Sequence, residues 1–375
     1  MAARVDVLVI GAGPAGLAAA VALKGEGIEA RIVDRADAVG SSWRAHYDRL
    51  RLHTHRRFSG LPSLPIPRAF GPWVARADFV RYLEAYARRF ELAPRLGVTV
   101  EQVQAADGGF AVTTSQGDLL ARAVVVASGY NHTPWLPTWP GQFAGELLHA
   151  SRYRTPEPYA GKRVLVIGSG NTGAEIAVDL AEKGTRSVLL AVRTPPNVLR
   201  RSILGIPSQA LALVLSRLPV RVADAIARAA QRLTQPNLTR FGLPPPPRGV
   251  FTSVLRDKQI PILDMGFLAA VRSQRVRIVP EVVGFEGSQV ICRDQRVEAD
   301  VVIAATGYRR GLESFLGGLP VLDERGNPKA QGAADGPAPG LYFIGYRNPI
   351  TGNLYSVAKD AVAVAKRIAR SLSAR

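Results

Sequence analysis

The chain reads as an α/β protein that uses one strand–glycine turn–helix–strand unit twice, on three observations. Apolar strands lead directly into two glycine-rich turns, Gly11-Ala12-Gly13-Pro14-Ala15-Gly16 and Gly168-Ser169-Gly170-Asn171-Thr172-Gly173. A helix-forming, Ala- and Leu-rich stretch comes after each turn, and a second apolar strand after each helix. A unit of this kind is the core of a Rossmann-like dinucleotide-binding domain. The expected fold is therefore two such domains, each of three-layer ββα type, with a helical insertion.

Taken in order, residues 5–10 form a strand, 16–24 a helix ended by Gly25 and Gly27, and 28–34 a second strand. Residues 49–72, rich in His, Arg and Pro, read as irregular backbone. Residues 78–90 are an amphipathic helix, and 96–120 a β-meander turning at Asp107-Gly108-Gly109 and Gln116-Gly117-Asp118. A buried strand comes next at 123–127, then a linker punctuated by Pro134, Pro137 and Pro140. The second unit has strands at 163–167, 187–192 and 299–304 and a helix at 174–183. A last strand at 341–345 and a last helix at 354–371 complete the chain. The expected division is 1–157 with 310–375 for the first domain and 158–309 for the second, the insertion occupying about 195–260.

Composition narrows the function. No apolar run reaches the ~18–20 residues of a membrane-spanning helix, and the start of the chain lacks the pattern of a secretory leader. Cys292 is the only cysteine, so neither a disulfide framework nor a paired-thiol electron relay is available. The expected compartment is the cytoplasm. The five histidines show no metal-ligand spacing, and no metal is expected. The net charge is +18, and residues 193–256 carry half of it, with ten arginines and a single acid, Asp224. Arginine-biased composition, the phosphates of a bound dinucleotide, an anionic substrate or a membrane surface would each account for this excess; no nucleic-acid reader motif accompanies it. Within it, residues 220–234 place Arg221, Asp224, Arg228 and Arg232 on one helical face and Val222, Ile226, Ala229 and Leu233 on another. Such a helix covers a core with its apolar face or rests peripherally on an anionic membrane.

The two turns differ in the residue that ends the next strand. In the first unit, Gly11 permits the tight turn, Gly13 lets a pyrophosphate approach the backbone and Gly16 lets helix and strand close together. Asp34, 23 residues after Gly11, ends the second strand, where a carboxylate binds ribose hydroxyls. In the second unit, the corresponding position is Arg193, 25 residues after Gly168. An acid there would repel a 2′-phosphate, whereas a guanidinium pairs with it. The first unit is thus expected to hold FAD and the second NADPH, with hydride passing between them.

A wider pattern then emerges. Phe143, Gly145, His149 and Tyr153 match the spacing FxGxxxHxxx(Y/F), and lie between the two turns. Ala305-Thr306-Gly307-Tyr308 forms an ATGY segment, and Gly40-Ser41-Ser42-Trp43-Arg44 is similar to GGxW, with Ser41 in place of the second glycine. Together these resemble the class B flavin-containing monooxygenases over nearly the whole chain. Leu50-Arg51-Leu52-His53, residues 149–154, residues 213–223 and Ile262-Leu263-Asp264-Met265-Gly266 are most similar to the YUCCA-type branch. Tyr153 stands where ketone-oxidising relatives carry Trp. The Asn typical of heteroatom oxidisers is absent near Thr54, and Arg56 stands where the branch has Lys.

The resemblance implies an FAD- and NADPH-dependent monooxygenase that uses O2 through a C4a-(hydro)peroxyflavin in a closed, dry site. Its substrate would be a small organic molecule, with a 2-oxo acid such as indole-3-pyruvate as one candidate. An NADPH-dependent reductase without oxygen insertion is the alternative. His53 and Arg56 are the catalytic candidates. Pro14, Ala15, Arg35, Ser42, Trp43, Arg44, Val103, Ala127, Ser128, Gly129, Ser169, Gly170, Asn171, Thr172, Gly173 and Thr194 join the turn residues as expected cofactor contacts. So do the ATGY segment and Gly352-Asn353-Leu354, whose backbone N–H groups are expected to face the flavin.

Overall fold

The computed structural model describes residues 2–374. Its first sheet is parallel at its centre. Ala3–Ile10 pairs with Ala30–Asp34 on one edge and Leu119–Val126 on the other, and Leu341–Phe343 adds beyond Leu119–Val126. Strand residues alternate between two layers because successive side chains point to opposite faces. Val7, Val9, Ile32, Ala123 and Val125 pack under the helices Pro14–Gly25, Arg76–Arg89 and Asn353–Ser373. Leu8, Ile10, Val33, Val124 and Val126 face the antiparallel hairpin Val100–Ala106/Gly109–Thr114 instead. Each fully buried Val or Leu contributes roughly 1.5–3 kcal/mol. The third strand of the meander and the buried strand after it are one element, Leu119–Val126, which leaves the hairpin at Ala121 and runs on into the parallel sheet.

The second sheet repeats the plan. Its parallel order is Val276–Pro280, Ser187–Val192, Arg163–Ile167, Val301–Ala304 and Glu146–His149. Val164, Val166, Leu190 and Ile303 pack under the helices Asn171–Glu182 and Phe267–Arg272, while Leu165, Ile167, Leu189 and Val302 face the meander Val282–Gly287, Gln289–Cys292, Arg296–Glu298. Two strands before residue 157 belong with this half: Gly141–Phe143 pairs with the meander and Glu146–His149 extends the parallel sheet. The division we propose therefore starts the second unit near Gly141.

The insertion carries the helices Ser208–Leu215 and Val220–Thr234. The second of these does not bury its apolar face. Ala223 and Asp224 are buried and Ala227 joins a small cluster with Val250 and Phe251, whereas Val222, Ile226 and Leu233 are exposed. Asp224 is drawn inward because its carboxylate accepts from the Phe251 N–H (2.7 Å), the Thr252 N–H (3.3 Å) and the Thr252 hydroxyl (2.6 Å).

Candidate active site between the two glycine turns

The two turns share one geometry. Gly11 and Gly168 have φ of +114° and +109°, and a Cβ on either would lie 2.5 Å from a carbonyl of the neighbouring strand end, Ala127 or Ala305. A Cβ on Gly16 or Gly173 would meet the carbonyl of Gly11 or Gly168 at 1.8 or 1.9 Å, so only hydrogen fits where helix and turn touch. Gly13 and Gly170 cap their helices in extended conformation and face open space, with nothing within 4 Å of an added Cβ. That is the cradle a pyrophosphate needs: approachable backbone at a helix N-terminus whose first N–H groups lack intrahelical partners.

Past the turns the chemistry diverges. The Asp34 carboxylate accepts from the N–H groups of Ala12 (2.6 Å) and Ala36 (2.9 Å), so it braces its own turn while keeping lone pairs for a ligand. Arg35 is exposed. At the second turn Arg193 is exposed and makes no ion pair among the described residues, and the carbonyl of half-buried Thr194 accepts from Ser169. Asn171 ties its turn to the strand Ile262–Asp264, donating to Pro261 O (3.0 Å) and accepting from Leu263 N–H (2.8 Å). Pro14, Ala15 and Thr172 lie in the first turns of their helices.

Other expected contacts take varied positions. Trp43 packs edge-on against Phe79, with ring centroids 4.5 Å apart, and exposed Ser42 precedes it. Arg44 turns to the Glu84 carboxylate and Val39 O. The Val103 side chain is 1 % exposed in the hairpin core, and its backbone, on the edge strand of the sheet, is in register with Val112. Beyond Ala127, the Ser128 N–H donates to the Tyr346 hydroxyl (3.1 Å), which also meets the Ser128 hydroxyl at 2.7 Å, and Gly129 turns with φ +103°.

The FxGxxxHxxx(Y/F) residues act as structure. His149 Nδ1 accepts from Ser151 N–H (3.0 Å), leaving Nε2–H to donate to Gly307 O (3.0 Å), and its ring meets Tyr308 edge-on at 5.1 Å. The histidine thus pins the strand crossing to Ala305-Thr306-Gly307-Tyr308, and burial lowers its pKa, keeping it neutral. Gly145 admits the carbonyl of Asp300, 2.4 Å from where a Cβ would stand, and Phe143 packs on Phe285. Tyr153 is fully buried, stacks on Tyr159 and donates to Asp179 (2.8 Å).

Sequence reasoning missed the seam between the two units. On the helix Asn171–Glu182, Glu175 and Asp179 are buried one turn apart and face the segment 47–53. Glu175 accepts from the Tyr47 hydroxyl (3.0 Å) and contacts His53 Nε2. Asp179 takes Tyr153 and lies 3.5 Å from Arg49, which also pairs with Glu182. Burial raises the Asp179 carboxyl, with Tyr153 and Arg49 opposing, and burial followed by the Glu175 charge raises the Tyr47 phenol. Two acids four apart on an apolar helix were the available signal.

His53 therefore sits at the seam, whereas Arg56 lines a cavity of about 410 Å³ with His55, Arg57, Phe58, Arg68 and, from the insertion, Gly205, Pro207 and Ala210. The Gln209 side chain links the cavity wall to the turn before the last helix: it accepts from His55 N–H (3.0 Å) and donates to Thr351 O (2.5 Å). Gly352, with φ +98°, packs against Thr54 and Gln209, Asn353 donates to Gly345 O (3.1 Å) and Arg347 O (2.6 Å), and Leu354 is buried.

Two cradles with opposite charge beside them define a two-dinucleotide oxidoreductase, and residues 8–202 match the family described as pyridine nucleotide-disulphide oxidoreductase. Cys292, alone and buried, with a thiol pushed up to about 11 by burial, takes no part in a thiol relay. The chain belongs to the flavin-containing monooxygenases of the YUCCA type. It is 37% identical to rice (Oryza sativa subsp. japonica) indole-3-pyruvate monooxygenase YUCCA1, the match covering 96% of this chain and 90% of that one. It is also 33% identical to the probable indole-3-pyruvate monooxygenase YUCCA1 of Arabidopsis thaliana, over 96% and 89%. Among solved structures, a flavin-containing monooxygenase from Stenotrophomonas maltophilia is 25% identical, with TM-score 0.76 over 99% of both chains. The protein is an FAD- and NADPH-dependent monooxygenase. No helix among the described residues is long and apolar enough to cross a membrane.

Proposed function

We propose that this monooxygenase acts on a small anionic substrate with an apolar body, in the class of 2-oxo acids to which indole-3-pyruvate belongs. The observation that carries the reading is the cavity of about 410 Å³, in which Arg56, Arg57 and Arg68 stand around Phe58 and His55. Guanidinium groups pair with a carboxylate through two parallel bonds, and the ring offers a surface for an aromatic substrate. Burial, with Arg56 and Arg57 next in importance, lowers the His55 pKa, so its imidazole is neutral at pH 7 and does not compete as a cation. The names of the rice and Arabidopsis relatives support the same class.

Bound FAD would supply the electron transfer and oxygen activation. The chain's own part is to bind and orient. We assign Gly13 and Asp34 to the FAD pyrophosphate and ribose, Gly170 and Arg193 to the NADPH pyrophosphate and 2′-phosphate, and Trp43 with residues 352–354 to the flavin surroundings. The residues fit both groups, since each cradle is open at its middle glycine and closed at the other two. Arg56 and Arg68 hold the substrate carboxylate, and His53, held by Glu175, positions the seam rather than reacting. In the overall reaction one 2-oxo acid, O2, NADPH and a proton give the carboxylic acid shortened by one carbon, CO2, water and NADP⁺.

A product screen with isotope-labelled O2 tests the substrate. The expected result is a shortened acid carrying one labelled oxygen, formed in step with NADPH oxidation. NADPH oxidation giving only H2O2 with every 2-oxo acid, or oxygenation of amines and sulfides in preference to them, contradicts it.

A further inference from the structure

The insertion presents an apolar and basic surface that the proposed reaction leaves unused. Leu204, at the tip of the short hairpin Ser202–Ile203/Ile206–Pro207, is 97 % exposed, with φ +49°. Val214 on the next helix is 62 % exposed, and Leu218 and Val220 at the corner between helices are exposed as well. On the helix Val220–Thr234, Val222, Ile226 and Leu233 (87 % exposed) share one outward stripe. Arg221, Arg228 and Arg232 form an adjacent outward stripe, and Arg217 stands at the corner. All four arginines are exposed and make no ion pair among the described residues. The only acid between residues 193 and 256, Asp224, is turned inward and satisfied by Phe251 and Thr252. The outer surface of this helix is thus apolar and cationic with nothing to neutralise it.

We propose that this face docks the enzyme peripherally on an anionic phospholipid bilayer. Leaving several large apolar side chains in water has a cost that an acyl boundary removes, and arginines beside them reach the lipid phosphates. A second copy of the chain would bring the same uncompensated arginines face to face. Side chains as exposed as Leu204 and Leu233 protrude rather than line a groove, which suits a fluid apolar phase more than a shaped protein partner. The cavity of Arg56 and Phe58 is also lined by Gly205, Pro207 and Ala210, so docking would set its wall at the lipid surface and favour amphiphilic substrates that partition there.

The test is vesicle flotation of the yellow holoenzyme with phosphatidylcholine alone and with phosphatidylcholine mixed with phosphatidylglycerol. The parent should float with the anionic vesicles at low salt and be released at roughly 0.5 M salt, where the screening length is only a few ångströms. The triple variant Val222→Ser, Ile226→Ser, Leu233→Ser and the quadruple variant Arg217→Gln, Arg221→Gln, Arg228→Gln, Arg232→Gln should each lower the bound fraction by about tenfold or more. Both should retain flavin and the parent's NADPH oxidation rate in solution, because none of these residues lies at a cofactor. The proposal is overturned if the parent stays with the unbound protein at low salt, or if the serine variant binds as well as the parent. A concentration-dependent dimer that the serine variant dissolves would likewise overturn it, assigning the face to a protein contact.

Discussion

The two glycine turns are near-copies in backbone and opposites in charge. Gly11 and Gly168, Gly16 and Gly173, and Gly13 and Gly170 play matched parts, with φ and close approaches agreeing to within a few degrees and about 0.1 Å. Yet the strand after the first helix ends in a carboxylate tied to its own turn, and the strand after the second runs into a guanidinium with no ion pair among the described residues. In the assignment we propose, backbone geometry holds a pyrophosphate and one side chain past it selects the nucleotide. Two sites built this way can be damaged separately.

The largest effect is expected from forcing a Cβ into either turn. Gly11→Ala sets a methyl 2.5 Å from Ala127 O at a positive φ, a strain of several kcal/mol. The protein should purify colourless or aggregated. Gly168→Ala makes the same collision with Ala305 O, but should stay yellow while NADPH-driven flavin reduction falls by ~100-fold or more. Equal flavin loss in both would erase the distinction between the units. Next in size, Arg193→Ala should lower the ratio of NADPH to NADH efficiency by roughly 10–100-fold, the worth of a bidentate charge-assisted contact. An unchanged ratio in steady-state kinetics would remove the 2′-phosphate assignment.

Smaller effects belong to the seam between the two units. His46, at the edge of Trp43, has its pKa lowered to about 4 by burial, with Arg154 and Arg76 adding to the effect. The unfolded chain binds a proton near pH 6.5 that the folded chain refuses. The stability from keeping this ring neutral is full above pH 6.5 and is lost as pH falls towards 4, a total on the order of 3 kcal/mol. His46→Gln should flatten the fall in Tm across that window. Smallest of all, Tyr47→Phe removes one hydrogen bond to buried Glu175 and should cost about 1 kcal/mol, read by denaturant unfolding.

The turns and strands were legible because glycine spacing and apolar runs are local signals. The FxGxxxHxxx(Y/F) spacing marks His149 in the same local way, but not its partner Gly307, which is 158 residues away. Three features were not. Glu175 and Asp179 look like ordinary helix acids until the fold brings Tyr47, His53 and Arg49 to them. The helix Val220–Thr234 has a clear apolar stripe, but periodicity states only that a stripe exists; the adjoining cluster of Val250 and Phe251 accepts the small residues Ala223 and Ala227 instead. Strands 141–149 carry no marker of which sheet they join, because pairing across Phe285 and Ala304 is a long-range choice.

Anaerobic stopped-flow mixing of the yellow protein with NADPH or NADH tests the central claim most directly. Flavin absorbance near ~450 nm should bleach with NADPH, and at least about tenfold more slowly with NADH. Protein that binds flavin but is not bleached by NADPH, or that is bleached equally well by both nucleotides, would contradict the view of two matched cradles told apart by Asp34 and Arg193.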